Sequence, residues 1–205
     1  MLLYTLENEY REKGFTVIAG TDEAGRGCLA GPVVAAACIL PDGLIIDGLN
    51  DSKKLSAKKR EKLYDVIIEN AVSYAIAEAS VEEIDTINIL NAAQLAMRRA
   101  VAKLSPQPSL VLVDGNIARE FPMETVTVIH GDAISPSIAA ASILAKVYRD
   151  RLLIEMDAKY PEYGFAQNKS YSTKAHMDAL RLYGPRECHR KTFLKFLSED
   201  KNEKQ

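Results

Sequence analysis

The chain has 205 residues, 47% hydrophobic and 26% charged, the balance of one soluble globular domain that can bury a sizeable core without disulfides or structural metal. No apolar run reaches the roughly 18 residues of a membrane span, and the opening MLLYTLENEYREK lacks the charged, apolar and small-residue order of a signal peptide, so a cytoplasmic location is expected. The net charge of −2 argues against a generic nucleic-acid binder, yet it is unevenly spread. Residues 50–63 carry six basic and two acidic residues and 146–196 carry eleven and six, whereas 64–145 carry four and ten. The two basic blocks suit either a phosphate track beside an acidic centre or solvated helix faces. Cys28, Cys38 and Cys188 have no CxxC spacing and read as free thiols.

In chain order, Phe15–Gly20 and Val33–Leu40 predict strands, joined by a glycine-containing linker that ends in Pro32. Ser56 opens a helix to about Asn70, with Leu63, Val66, Ile67 and Asn70 on one face. Tyr74–Ser80 alternates like a strand. A helix over about Val81–Leu104 carries a Leu90, Ala93, Met97 and Val101 stripe and stops at Ser105-Pro106. Leu110–Asp114 and Val126–His130 predict buried strands, and a long helix follows over about Pro136–Lys159. Tyr160–Ser172 is an irregular link, after which Thr173 caps a helix that Gly184-Pro185 ends. The order implies an α/β fold, a central mixed sheet flanked by helices, with a small helical C-terminal extension after about residue 160.

Acids at carboxyl ends of strands are where open α/β sheets build sites. Asp22 and Glu23 follow the first predicted strand, Asp114 ends the fourth, and Asp132 follows the fifth. Each alone has the bland alternative of a turn residue or helix cap. No lysine adjoins them in sequence, so if they converge they must repel one another or share a cation. An all-carboxylate set favours Mg²⁺ or Mn²⁺ over zinc and suits two-metal phosphodiester chemistry. Asp22 and Glu23 face opposite ways on a regular strand and share a site only if the chain twists there. Gly25-Arg26-Gly27 allows close backbone approach to a ligand, although no Walker lysine accompanies it. Ser142 and Lys146 share a helix face, which suits a phosphate oxygen or simply a snorkelling lysine beside a buried serine.

These residues resemble the signature of the ribonuclease HII family. The likeness is carried by Thr21-Asp22-Glu23-Ala24-Gly25-Arg26-Gly27 with Ala30-Gly31-Pro32-Val33, by Asp51-Ser52-Lys53-Lys54-Leu55-Ser56, and by Val113-Asp114-Gly115. Gly131-Asp132 running into SIAAASILAKVYRD, then His189-Arg190 and Phe193, extend it. The resemblance implies a ribonuclease H-like catalytic domain over 1–160, with 161–205 completing the substrate cleft. It implies an endonuclease that cuts the RNA strand of RNA–DNA hybrids and incises 5′ of single ribonucleotides embedded in duplex DNA. The products carry 5′-phosphate and 3′-hydroxyl ends, and the role is ribonucleotide excision repair.

Carried over by motif, Asp22, Glu23, Asp114 and Asp132 are the catalytic metal ligands for two Mg²⁺ or Mn²⁺ ions. Gly25, Arg26 and Gly27 read the 2′-hydroxyl, the group that separates RNA from DNA. Tyr171 packs on the sugar at the RNA–DNA junction. The family's Lys-Gly-Tyr-Gly-Thr is here Lys169-Ser170-Tyr171-Ser172-Thr173, and serine costs about 1 kcal/mol wherever a positive φ is required. Ser52, Lys53, Lys54, Ser142 and Lys146 are expected on substrate, mainly on phosphates. His176 and His189 are expected to bond backbone or phosphate rather than metal. A monomer that acts on nucleic acid and not at a membrane follows. The related ribonuclease HIII would need an N-terminal domain larger than the about 15 residues ahead of the first strand. The competing classes are a catalytically silent hybrid-binding module and a small-molecule phosphohydrolase.

Overall fold

In the computed structural model, which describes residues 2–197, five strands form one sheet in the order β3-β2-β1-β4-β5. The strands are β1 (Ile18–Ala24), β2 (Val33–Ile39), β3 (Ser73–Ala79), β4 (Leu110–Asp114) and β5 (Glu124–Val128). The β1–β2 and β2–β3 pairs are antiparallel, and β1–β4 and β4–β5 are parallel. The sheet is therefore mixed and flanked by helices, as expected.

Alternation on β2 builds two cores. Val33, Ala35, Ala37 and Ile39 face α3 (Val81–Ala102), while Val34, Ala36 and Cys38 face α2 (Ala57–Asn70) and α4 (Pro136–Lys159). So many alanines let the helices lie close on the sheet. On β3, Ala75, Ala77 and Ala79 are buried in alternation, as the sequence predicts. Ser56 caps α2, and Ser80 with Glu83 forms a reciprocal capping box on α3.

Several expectations need correction. The first strand does not stop at Gly20; it runs on to Ala24, so Asp22 and Glu23 lie within it. Their partners, Ala36 and Ala35, belong to a wholly buried strand whose pairing overrides the poor strand propensity of Asp-Glu. The fifth strand begins two residues earlier than predicted and is a half-exposed sheet edge, not a buried strand. On α2, Val66 and Asn70 face solvent while Leu63 and Ile67 are buried. Asn88, at φ 65°, kinks α3, and its side chain accepts from the Asn91 N–H at 3.1 Å to restart the helix.

An unpredicted helix, α1 (Thr5–Glu12), packs Leu6 and Tyr10 beside Ile138. Its buried Glu7 accepts from the Ser135 hydroxyl at 2.6 Å and the Ser137 N–H at 3.3 Å, pinning the start of α4. After α4, the chain runs through α5 (Phe165–Asn168) and α6 (Lys174–Tyr183). Tyr163, Phe165, Ala179 and Leu180 pack with Leu29, Ala30 and Leu153 in a separate cluster. The last eight residues of the predicted 161–205 extension lie outside the described residues. No helix among the described residues is long and apolar enough to cross a membrane.

Candidate active site

One residue past the parallel pair Thr21–Val113, β1 carries Asp22 and β4 carries Asp114. The two carboxyls thus stand side by side at the sheet's carboxyl end, on the face where Ile18, Leu110 and Leu112 meet Ile138 of α4. Asp114 accepts the Gly131 N–H at 2.8 Å, which ties the turn after β5 to β4. Asp132 sits in that turn, Gly131–Ala133, and is 5% exposed. The approach of α4 to β1 is set by Gly20, where an added Cβ would stand 2.2 Å from the Ser137 carbonyl carbon.

Electrostatics mark these acids as one group. Burial, then Glu23 and Asp114, push the Asp22 carboxyl well above the usual carboxylate range. Burial also raises Glu23, against the lowering pull of Arg26, whose guanidinium lies 3.1 Å away. Burial, then Asp114 and Asp51, raise Asp132. Sequence reasoning gives Asp51 no role at the acids, although it heads the Asp51-Ser52-Lys53-Lys54 motif. Its carboxylate also caps that turn by accepting the Lys53 N–H at 2.8 Å.

No lysine adjoins the acids in sequence, but the fold brings Lys53 among them. Burial draws the Lys53 ammonium down, but Asp22, Asp132, Asp51 and Asp114 outweigh it and raise its pKa. Lys53 is far from Asp22, Asp114 and Asp132 along the chain, so only the fold brings it among them.

A cleft of about 410 Å³ beside this group gathers most of the predicted site: Asp22, Glu23, Gly25-Arg26-Gly27, Ser52, Lys53, Ser142, Lys146 and Tyr171. Asp114, which acts on Asp22 and Lys53, and Asp132, which acts on Lys53, lie beside the cleft rather than along its wall. Lys54 stands apart, largely exposed and 3.8 Å from Asp51. Ser142 and Lys146 both line the cleft, and each has a partner of its own. The Ser142 hydroxyl donates to that of Ser52 at 2.7 Å, and Lys146 is held by Asp150 at 2.7 Å.

Two residues missed from sequence lock the cleft's loops together. Arg149 and Arg190 are 1% and 0% exposed, and among the described residues neither has a carboxylate partner. Backbone carbonyls take their N–H groups instead, since a buried cation must be hydrogen-bonded. Arg149 donates to Ala30 O at 3.0 Å and Lys169 O at 3.3 Å, and Arg190 to Gly31 O and Arg26 O, both at 2.9 Å. Burial and then Arg149 lower the Arg190 pKa to about 10, which still leaves it charged at neutral pH. Gly25, at φ +95°, is a required glycine, because a Cβ there would lie 2.0 Å from Arg149 Nε. Both arginines belong to the family-like motifs, but a charge within a helix or loop ordinarily reads as solvent-facing.

The serines around Tyr171 divide. Ser170 is buried at φ 59°, so it needs the left-handed conformation; Ser172 does not and is exposed. The Ser170 hydroxyl donates to Ala30 O at 2.8 Å and accepts from Arg149 at 3.0 Å, which offsets the strain. Ser170→Ala keeps the strain and loses both bonds, so urea unfolding should show a loss of about 2 kcal/mol. Ser170→Gly exchanges strain against bonds and should fall within about 1 kcal/mol of the native protein. Equal losses in the two variants would contradict this account of the turn.

The donor set at the acids is oxygen only and carries more negative charge than Lys53 and Arg26 balance, which fits a hard divalent cation. Among the described residues, no three His, Cys, Asp or Glu side chains form a ready-made ligand shell. Glu23 is engaged by Arg26, Asp114 by Gly131, and Lys53 lies among the acids.

Comparison with known proteins agrees with this picture. A family model described as Ribonuclease HII matches residues 19–196. The Ribonuclease HII of Coxiella burnetii is 56% identical over 177 residues, 86% of this chain and 88% of that protein. Ribonuclease HII 1 of Methylibium petroleiphilum is 59% identical over 175 residues, 85% of this chain and 88% of that one. The crystal structure of ribonuclease H2 from Pyrococcus horikoshii superposes with a TM-score of 0.74 at 26% identity, covering 90% of this chain and 98% of that one. A ribonuclease HIII structure in complex with Mn²⁺, at 18% identity and a TM-score of 0.69, covers 87% of this chain and 67% of its own and shares the fold.

Proposed function

Because this chain belongs to the ribonuclease HII family, and so is a hydrolase of the ribonuclease H class, we propose that it incises duplex DNA 5′ of single embedded ribonucleotides as well as RNA in longer hybrids. The single observation that carries the proposal is the cleft that sets Asp22 and Glu23 against the Gly25–Gly27 backbone and Tyr171. A reader of the 2′-hydroxyl and a platform for a sugar thus border the acids, which is what one ribonucleotide among deoxyribonucleotides demands.

Asp22, Glu23, Asp114 and Asp132 would hold two Mg²⁺ or Mn²⁺ ions, which when bound supply water activation and stabilisation of the leaving oxygen. The chain's own residues do the rest. Arg149 and Arg190 hold the Gly25–Gly27 loop so that its backbone approaches the 2′-hydroxyl. Arg26, whose side chain is paired with Glu23, reads the 2′-hydroxyl with Gly25 and Gly27, and Lys53 and Lys54 meet phosphates. Ser52 and Ser142 brace the Lys53 turn and the start of Lys146's helical face, and Lys146 stands by at the cleft wall through Asp150. Tyr171 packs on the sugar at the junction, and the segment after residue 160 completes the cleft. Ribonucleotide removal from DNA is the role we assign, in the cytoplasm and by a monomer.

The test is cleavage of a DNA duplex holding one ribonucleotide, with Mg²⁺, Mn²⁺ or chelator, beside an all-DNA duplex and a full hybrid. Metal-dependent incision immediately 5′ of the ribonucleotide, leaving 3′-hydroxyl and 5′-phosphate ends with all-DNA intact, is the expected result. Cutting of the full hybrid alone would remove the junction role from Tyr171.

A further inference from the structure

Beneath Tyr171 lie two imidazoles that the chemistry above does not use. His176 is 0% and His189 1% exposed, and their Nε2 atoms stand 3.2 Å apart. The ends of this pair fix its protons. The Arg186 backbone N–H can only donate, so His189 Nδ1, 3.0 Å away, is bare and accepts. The Tyr171 carbonyl can only accept, so His176 Nδ1, 2.9 Å away, carries a proton and donates. Each neutral ring then has one N–H, which leaves His189 Nε2–H donating to His176 Nε2. The result is one directed chain: Arg186 N–H to His189, His189 to His176, His176 to the carbonyl of Tyr171.

We propose that His176 and His189 are positioning residues for Tyr171, a buried relay that fixes its backbone and so aims its half-exposed ring into the cleft. The proposal rests on Tyr171 as the sugar platform. From the other side Asn168 O accepts the Tyr171 N–H at 3.0 Å, and the Ser170 turn is locked by Arg149. The relay ties this segment to the far loop at Arg186. The surroundings keep both rings neutral: the Tyr163 ring lies 4.7 Å from His189, the Phe165 ring 5.4 Å from His176, and the Cys188 thiol 3.6 Å from His189 Nδ1. The charged group facing the pair is Arg186, which disfavours a second cation. Burial, then His176, lowers the His189 pKa to about 4, and burial lowers His176 as well.

The experiment compares His176→Phe, which fills the space without a donor, with His176→Asn, whose amide can still donate to the Tyr171 carbonyl. With the single-ribonucleotide duplex, His176→Phe should raise KM about tenfold, the loss of one hydrogen bond, with kcat little changed. His176→Asn should return KM to within about threefold of native, and His176→Phe added to Tyr171→Ala should cost no more than Tyr171→Ala alone. A native KM in His176→Phe, or full additivity with Tyr171→Ala, would overturn the relay. If Tyr171→Ala itself leaves KM unchanged, the sugar-platform assignment falls first, and the relay with it. The native protein supplies a check that no variant's folding can spoil. Nitrogen NMR should find His176 protonated on Nδ1 and His189 on Nε2, neither titrating above about pH 6. The opposite tautomers, or imidazolium in both rings near that pH, would refute the proposal.

Discussion

Asp22→Asn and Asp114→Asn should each lower turnover of an RNA–DNA hybrid by about 10³-fold or more, the scale of several kcal/mol of transition-state stabilisation. The same variants, free of divalent ions, should unfold at a temperature equal to or above that of the native protein. Burial, then Glu23 and Asp114, raise the Asp22 pKa, so its carboxylate is a source of repulsion in the resting fold. The amide removes that charge at almost no change in volume, and its oxygen can still accept the Glu23 N–H, now 2.7 Å from Asp22 Oδ1. Steady-state rates and thermal melts on the same preparations separate the two effects. Turnover within about tenfold of native in both variants would show that the acids are structural.

Gly20→Ala should be among the most damaging single changes for the fold, with a loss of about 3 kcal/mol or more in urea unfolding. A Cβ at residue 20 would lie 2.2 Å from Ser137 C and 2.3 Å from Ile138 N, both backbone atoms of α4 that no rotamer change can move. Relief would require α4 to lift from β1, and that helix carries Ser142, Lys146 and Arg149. Gly27→Ala is the internal control. Gly27 has ordinary φ, and nothing lies within 4 Å of the place an added methyl would take, so stability should stay within about 0.5 kcal/mol. Equal stability of the two alanine variants would contradict the close packing described for β1 and α4.

What is legible in the sequence follows from where the physics is local. The alternating β3 and the caps at Ser56 and Thr173 each come from a pattern that neighbouring residues alone specify. Asp114 ends its strand as its sequence suggests. Asp22 and Glu23 stand out as site residues from sequence but are expected after the strand, because their strand state comes from pairing with β2 rather than from their own propensity. The eight-residue α1 escapes sequence reasoning because so short and polar a helix has little intrinsic stability and is held by Glu7 against α4. Lys53, Asp51, Arg149 and Arg190 take their meaning from contacts across the fold, as does the tautomeric order of His176 and His189. The departure at Ser170 is visible as a letter, but whether it sits at positive φ, and what its hydroxyl touches, is not.

The central claim is that the four acids together bind divalent cations. The most direct measurement is Mn²⁺ binding to the resting protein, followed by loss of the free ion's electron paramagnetic resonance signal, for the native chain, Asp22→Asn, Asp114→Asn and Glu69→Gln. Glu69 is an exposed carboxylate at the C-terminal end of α2, the end opposite the Lys53 turn. Saturable binding in the native chain and Glu69→Gln, weakened by about tenfold or more in the two aspartate variants, is the predicted result. Binding that survives unchanged in Asp22→Asn and Asp114→Asn would contradict the site.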